Sequence, residues 1–79
     1  MYYVYILKHP TEDRIYFGFS ANLRSRMKEH RTLHPKWRLA YYEAYASEAD
    51  ARARERRLKH YGNVKQLLKK RIMRSLQMV

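Results

Sequence analysis

The chain has 79 residues, enough for one small domain built on a single core, and 46% of them are apolar, so it can fold without a partner. It has no cysteine, which excludes a disulfide framework, an iron–sulfur cluster, a thiolate zinc site and a cysteine nucleophile, and its longest apolar runs are strand-sized, far short of a membrane span. The net charge is +11 and unevenly spread: residues 1–50 carry eight basic and six acidic side chains, residues 51–79 ten and one. A half-chain that is almost purely cationic needs a polyanionic partner, with an exposed, solvated charged face as the plain alternative. No secretory signal is readable, since Lys8 closes the first apolar run, and the expected compartment is the cytoplasm.

In chain order, Tyr2 to Lys8 is rich in aromatic and branched residues and predicts a strand with Tyr3, Tyr5 and Leu7 on one face. His9 to Asp13 is polar turn material, and Arg14 to Phe19 predicts a second strand that pairs with the first as a hairpin. Ser20 is the expected N-cap of a helix running from Ala21 to about His30, with residues 31–36 as loop. Trp37 to Tyr45 predicts a third strand. Ser47 to Asp50 has the form of a capping box and opens a second helix that Gly62 is expected to end. A third helix from Asn63 carries Val64, Leu68, Ile72 and Leu76, with Leu67 beside them, as its core stripe. The expected fold is α+β, a three-stranded sheet flanked by helices in the order β-β-α-β-α-α, as a single domain over residues 1–79.

Three groups of residues break the ordinary pattern. Tyrosine accounts for eight of eleven aromatic residues, and Tyr5 and Tyr16 lie on the two arms of the hairpin, either as good strand formers or as hydroxyls reaching a cleft. On the helix after the hairpin, Arg26 and His30 sit one turn apart beside the apolar positions Leu23 and Met27, with Arg24 on another face. An arginine so placed either forks onto a phosphate or covers apolar surface with its stem. Glu55 is the only acid after residue 50, among Arg52, Arg54, Arg56 and Arg57, and shares a helical face with Ala51 and Leu58. It is either a carboxylate ligand for a hard cation such as Mg²⁺ or half of an ion pair with a neighbouring arginine. His30 and His34 have no third partner for zinc, and two glycines cannot build a phosphate loop.

Taken in order, Tyr3-Val4-Tyr5, Tyr16-Phe17-Gly18, the run Asn22 to His30, the strand Trp37 to Tyr45 and the segment Ala53 to Lys59 resemble the GIY-YIG nuclease superfamily. The resemblance is to its small stand-alone bacterial members, which are similar to the N-terminal nuclease domain of the excinuclease. It implies an antiparallel sheet and metal-dependent phosphodiester hydrolysis in DNA, in repair or recombination, with Mg²⁺ or Mn²⁺ as cofactor. By position, Tyr5 matches the general base, Tyr16 a tyrosine that positions water and phosphate, Arg26 the arginine on the scissile phosphate, His30 an assisting group and Glu55 the metal ligand. A phenol is a poor base at neutral pH, and a nearby cation and the positive surroundings of a basic domain are expected to favour its phenolate. Gly18 matches a point of close backbone packing. Tyr3 and Phe17 stand where the signature has glycine and isoleucine, Phe19 where some members have lysine, and a late asparagine has no counterpart. Arg24, Arg52, Arg56, Lys59, Lys69 and Lys70 are the expected phosphate contacts, for DNA or RNA. The alternative is a non-catalytic DNA- or RNA-binding module on the same fold; a homodimer or protein partner fits either, and no membrane is expected.

Overall fold

Strand β1 (Tyr2–Lys8) lies at the centre of a three-stranded antiparallel sheet, between β2 (Ile15–Ser20) and β3 (Arg38–Tyr45), in the order β2-β1-β3. The computed structural model describes all 79 residues. A central strand is covered on both faces, and Val4 to Leu7 are accordingly buried without a break. Alternation then separates the two faces. Val4 and Ile6, with Phe17 of β2, face the core formed with Ala51, Leu58, Leu68 and Ile72. Tyr3, Tyr5 and Leu7 face the other side, as their spacing predicts.

The turn between β1 and β2 is held by a side chain. His9 Nδ1 accepts the backbone N–H groups of Thr11 and Glu12, and Lys8 Nζ donates to the carbonyls of His9 and Glu12. The pairing of β1 with β3 slips by one residue: Ile6 faces Tyr41, but Leu7 faces Leu39, which leaves Ala40 as a bulge. One extra residue reverses which face the following side chains take. Tyr41, Glu43 and Tyr45 therefore lie on the core face, while Leu39 joins Leu7 on the opposite one.

Four helices complete the chain: α1 (Leu23–Leu33), α2 (Glu48–His60), α3 (Gly62–Arg71) and α4 (Met73–Gln77). The expected order of elements holds, with the last predicted helix divided at Ile72. Several boundaries differ from expectation. Ser20 is the final residue of β2, opposite Tyr3, and Asn22 is the N-cap of α1, its side chain accepting from Ser25 N. Ser20 Oγ instead both accepts from Asn22 N and donates to Asn22 O, bracing the cap. Helix α1 continues to Leu33, so the loop before β3 is shorter than residues 31–36 suggest. Ser47 caps α2 through Asp50 N as expected, but α2 ends at His60 and Gly62 opens α3 rather than closing α2. Leu67 is 66% exposed and stands outside the core stripe, because it lies one residue off the face that Val64, Leu68 and Ile72 present. No helix is long and apolar enough to cross a membrane.

Helices α2, α3 and α4 fill the core side of the sheet. The other side is covered by α1, none of whose residues is fully buried. This thinly covered face of β1 and β2 carries the polar chemistry.

Candidate active site

Tyr5 is the most enclosed large side chain, at 0% exposure, yet its hydroxyl is not stranded: it is 2.9 Å from His30 Nε2 on α1. The Tyr16 ring joins the two bonded rings in a cluster of three. Tyr5 and Tyr16 have centroids 6.3 Å apart, Tyr16 and His30 5.7 Å, and Tyr5 and His30 5.7 Å, the last two pairs edge to face. Tyr16 is on β2 and faces Leu7, one diagonal step from Tyr5, which faces Gly18. The two phenols thus meet diagonally across the hairpin.

Gly18 makes this arrangement possible. A Cβ built on it falls inside the Tyr5 ring, with Cε2 2.7 Å away and Cζ and the hydroxyl nearer still. The hydroxyl end of the ring therefore packs directly against the glycine, and only a residue without Cβ allows it. Gly18→Ala is expected to destabilise the protein by about 1–3 kcal/mol through overpacking. That corresponds to a melting temperature lower by roughly 4–8 °C for each kcal/mol in a domain of this size. Thermal melts check it.

Glu55 lies on α2 close enough to the Tyr5 hydroxyl for its charge to be felt there, with Ala51 and Leu58 of its face buried as their spacing predicts. Its side chain is 18% exposed and pairs with Lys59 at 3.3 Å, one turn on, and not with an arginine. Lys59 Nζ in turn lies 6.0 Å from the centre of the Tyr16 ring. Arg26 of α1 is half-exposed and adjoins the Tyr5 hydroxyl. Its one ion pair, to Glu29, is long at 3.6 Å, which leaves most of the guanidinium for an anion.

Titration reflects this convergence. Burial pushes the Tyr5 phenol up to about 12, with Tyr16 and Glu55 adding to the effect and the Arg26 guanidinium pulling the other way. Of the two influences expected to favour phenolate, the positive surroundings are outweighed by burial, and the protein's own charges leave Tyr5 a neutral phenol at pH 7. His30 moves the opposite way, below its ordinary 6.5, because burial and the nearby His34 and Arg26 disfavour its cation despite Glu29. Its Nδ1 is buried and has no partner.

The residues around Glu55 suit a divalent cation of one kind. No group of three or more His, Cys, Asp or Glu side chains gathers anywhere in the chain, so an all-protein cage is absent. Mg²⁺ keeps most of its waters and takes one or two carboxylates plus substrate phosphate oxygens, and a half-buried carboxylate whose only partner is a displaceable lysine fits that demand.

The expected phosphate contacts divide into groups. Arg52 and Lys59 stand one turn before and after Glu55 on α2, Arg52 being stacked 4.2 Å over Phe19 and paired with Glu48. Arg56 lines a shallow hollow with Arg57, His60 and Tyr61. Lys69 and Lys70 border another with Lys8 and Met73, and Arg24, in the first turn of α1, lines a third with Tyr3, Leu23 and Tyr42. Only the α2 residues adjoin Glu55; Lys69, Lys70 and Arg24 are not brought to it.

Sequence reading missed one polar cluster. Glu43, on the core face of β3, accepts hydrogen bonds from Tyr41 Oη at 2.6 Å, from Tyr45 Oη, and from Arg54 Nε and Nη2 at 3.0 and 3.1 Å. A signal for it exists: tyrosine, glutamate and tyrosine at alternate positions put a carboxylate on an inward face. Arg54 adjoins Glu55, so this bidentate pair ties α2 to the sheet next to the candidate ligand.

The family model described as the GIY-YIG catalytic domain matches residues 1–69. Comparison with curated proteins and with solved structures gives no match. The matched span holds both signature strands, the glycine beneath Tyr5, Arg26 and His30 of α1, and Glu55 of α2, and the fold has the expected three antiparallel strands. By sequence and architecture together, this chain belongs to the GIY-YIG catalytic domain family.

Proposed function

We propose that this protein is a metal-dependent endonuclease that hydrolyses phosphodiester bonds in DNA. The observation that carries the reading is the Tyr5–His30 hydrogen bond, set among Tyr16, Arg26 and Glu55. A phenol held near 12 is too weak a base to act alone at pH 7. Joined to a neutral imidazole, it acts as a relay. The attacking water gives its proton to Tyr5 Oη as the Tyr5 proton moves to His30 Nε2. That step requires the His30 tautomer protonated at Nδ1, with Nε2 accepting. A depressed His30 pKa keeps the acceptor neutral at pH 7.

Tyr16, exposed at the mouth of the site, orients water and phosphate through its hydroxyl. Arg26 neutralises charge growing on the phosphoryl oxygens. Glu55 would hold Mg²⁺ or Mn²⁺, which supplies Lewis-acid stabilisation of the phosphate and leaving oxygen when bound. Arg52, Arg56 and Lys59 grip phosphates without reading base sequence.

The test is incubation of the purified protein with labelled single-stranded, duplex, nicked and branched DNA, with Mg²⁺, with Mn²⁺ and with EDTA. Cleavage is expected only with metal and should follow the folded protein through size-exclusion chromatography. The rate should fall as pH drops through the His30 titration, below its ordinary 6.5, because the cationic ring no longer accepts a proton. Salt-sensitive binding with no cleavage under any metal would leave a DNA-binding module in its place.

A further inference from the structure

Beyond His30 the active-site face continues into a cleft of about 550 Å³, lined by Tyr16 and His30 at one end and by Trp37, His34, His9 and Arg14 at the other. A second cleft, lined by Met27, Arg31 and Leu39, shares Leu7, His30 and Trp37 with it, so Trp37 stands at the junction of the two. The β3 bulge at Ala40 explains its position. With the slip in register Leu39 faces Leu7, on the catalytic side of the sheet, and Trp37 lies two residues before it. Without the bulge, these residues would belong to the core face.

We propose that this cleft receives an unpaired nucleobase next to the scissile phosphate, with Trp37 as the stacking surface, so that the substrate is a single-stranded or frayed DNA segment. The proposal rests on the nuclease reading of the adjoining site. Three observations support it. First, the lining combines the Trp37 and Tyr16 rings and three imidazoles with the cation of Arg14, whose exposed partner Glu12 also borders the cleft, and rings with a cation are the pairing that single-strand binding sites use. Second, Trp37 is held by displaceable groups: Arg14 sits 5.5 Å over its ring, is 67% exposed, and pairs only with the exposed Glu12. An incoming base can replace that cation or be sandwiched beneath it. Third, His9 meets the Trp37 ring edge to face at 5.4 Å, and its Nδ1 is committed as an acceptor in the turn. That fixes the Nε2–H tautomer and leaves one oriented donor for the polar edge of a base. A base inside a duplex has both faces covered by its neighbours, so only an unpaired base can offer a face to Trp37.

Trp37 is the sole tryptophan, so its fluorescence reports the event directly. The experiment titrates the protein in EDTA, where no cleavage is expected, with an oligothymidylate of about twelve nucleotides and with a blunt, G·C-ended two-strand duplex of similar length. The oligothymidylate should quench Trp37 emission and the duplex should not. By anisotropy, Trp37→Leu should bind the single strand about 10-fold more weakly, with duplex binding unchanged, and Trp37→Phe should restore most of the loss. Single-strand binding without quenching, or equal effects of Trp37→Leu on both DNAs, overturns the nucleobase site and leaves the nuclease reading standing. Failure to bind either DNA removes both, and metal-dependent cutting with no single-strand preference removes the cleft alone.

Discussion

Glu55→Gln is expected to reduce DNA cleavage by at least about 10³-fold at saturating Mg²⁺, the loss that follows when several kcal/mol of transition-state charge stabilisation disappear. Glutamine keeps the shape and the packing of α2 over Ala51 and Leu58, so the melting temperature should change little. It also releases Lys59 from its 3.3 Å ion pair and raises the net charge by one. DNA binding in EDTA should therefore be equal to or slightly tighter than wild type, with a steeper salt dependence. This opposition, tighter binding with lost cleavage, separates a metal ligand from a phosphate-binding or structural residue. Arg52→Ala, removing a proposed phosphate contact beside Glu55, should weaken binding and leave some turnover. If Glu55→Gln cleaved at the wild-type rate, the placement of the cation at Glu55 would be wrong.

The inward position of Glu55 is readable in the sequence because it needs only helical spacing: Ala51 and Leu58 mark the buried face, and Glu55 shares it. The same holds for β1, whose alternation separates Val4 and Ile6 from Tyr5 and Leu7, and for the stripe of Val64, Leu68 and Ile72. What escapes depends on tertiary detail. Ser20 and Asn22 are both competent caps, and the choice is made by pairing with Tyr3, which extends β2 to Ser20. The bulge at Ala40 leaves no local mark, yet it decides which face Leu39 and Trp37 take. Charge counting suggests that Tyr5 loses its proton easily. Burial decides the opposite, and only the fold shows that the ring is sealed over Gly18 with its hydroxyl 2.9 Å from His30 Nε2.

The cluster around Glu43 supplies the second large effect. Its carboxylate is 15% exposed, its partner Arg54 30%, and two phenol hydroxyls complete its shell. Burial opposes its charge, but the bonds from Arg54, Tyr41 and Tyr45 outweigh burial and hold the carboxyl below its ordinary 4.5. Glu43→Ala leaves a half-buried guanidinium without a counter-charge. Breaking a fully buried pair costs about 3–5 kcal/mol, and the partial exposure here reduces that to about 2–3 kcal/mol. For a domain of this size the melting temperature should fall by roughly 10–20 °C. Because the stranded cation is what costs, the double variant Glu43→Ala/Arg54→Met should be more stable than Glu43→Ala alone. The pH dependence follows from the same bonds. A depressed Glu43 pKa gives stability that is complete above 4.5 and lost as pH falls through the folded value. Tyr41 and Tyr45, pushed up to about 12 by burial and then by the Glu43 bond, give stability that is complete below 10 and lost as pH rises toward 12. The gap in melting temperature between wild type and Glu43→Ala should therefore be widest between pH 4.5 and 10 and narrow on both sides. A gap that stayed constant well beyond both limits would mean that Glu43 contributes packing alone, and that α2, with Glu55 next to Arg54, is held to the sheet by its apolar face.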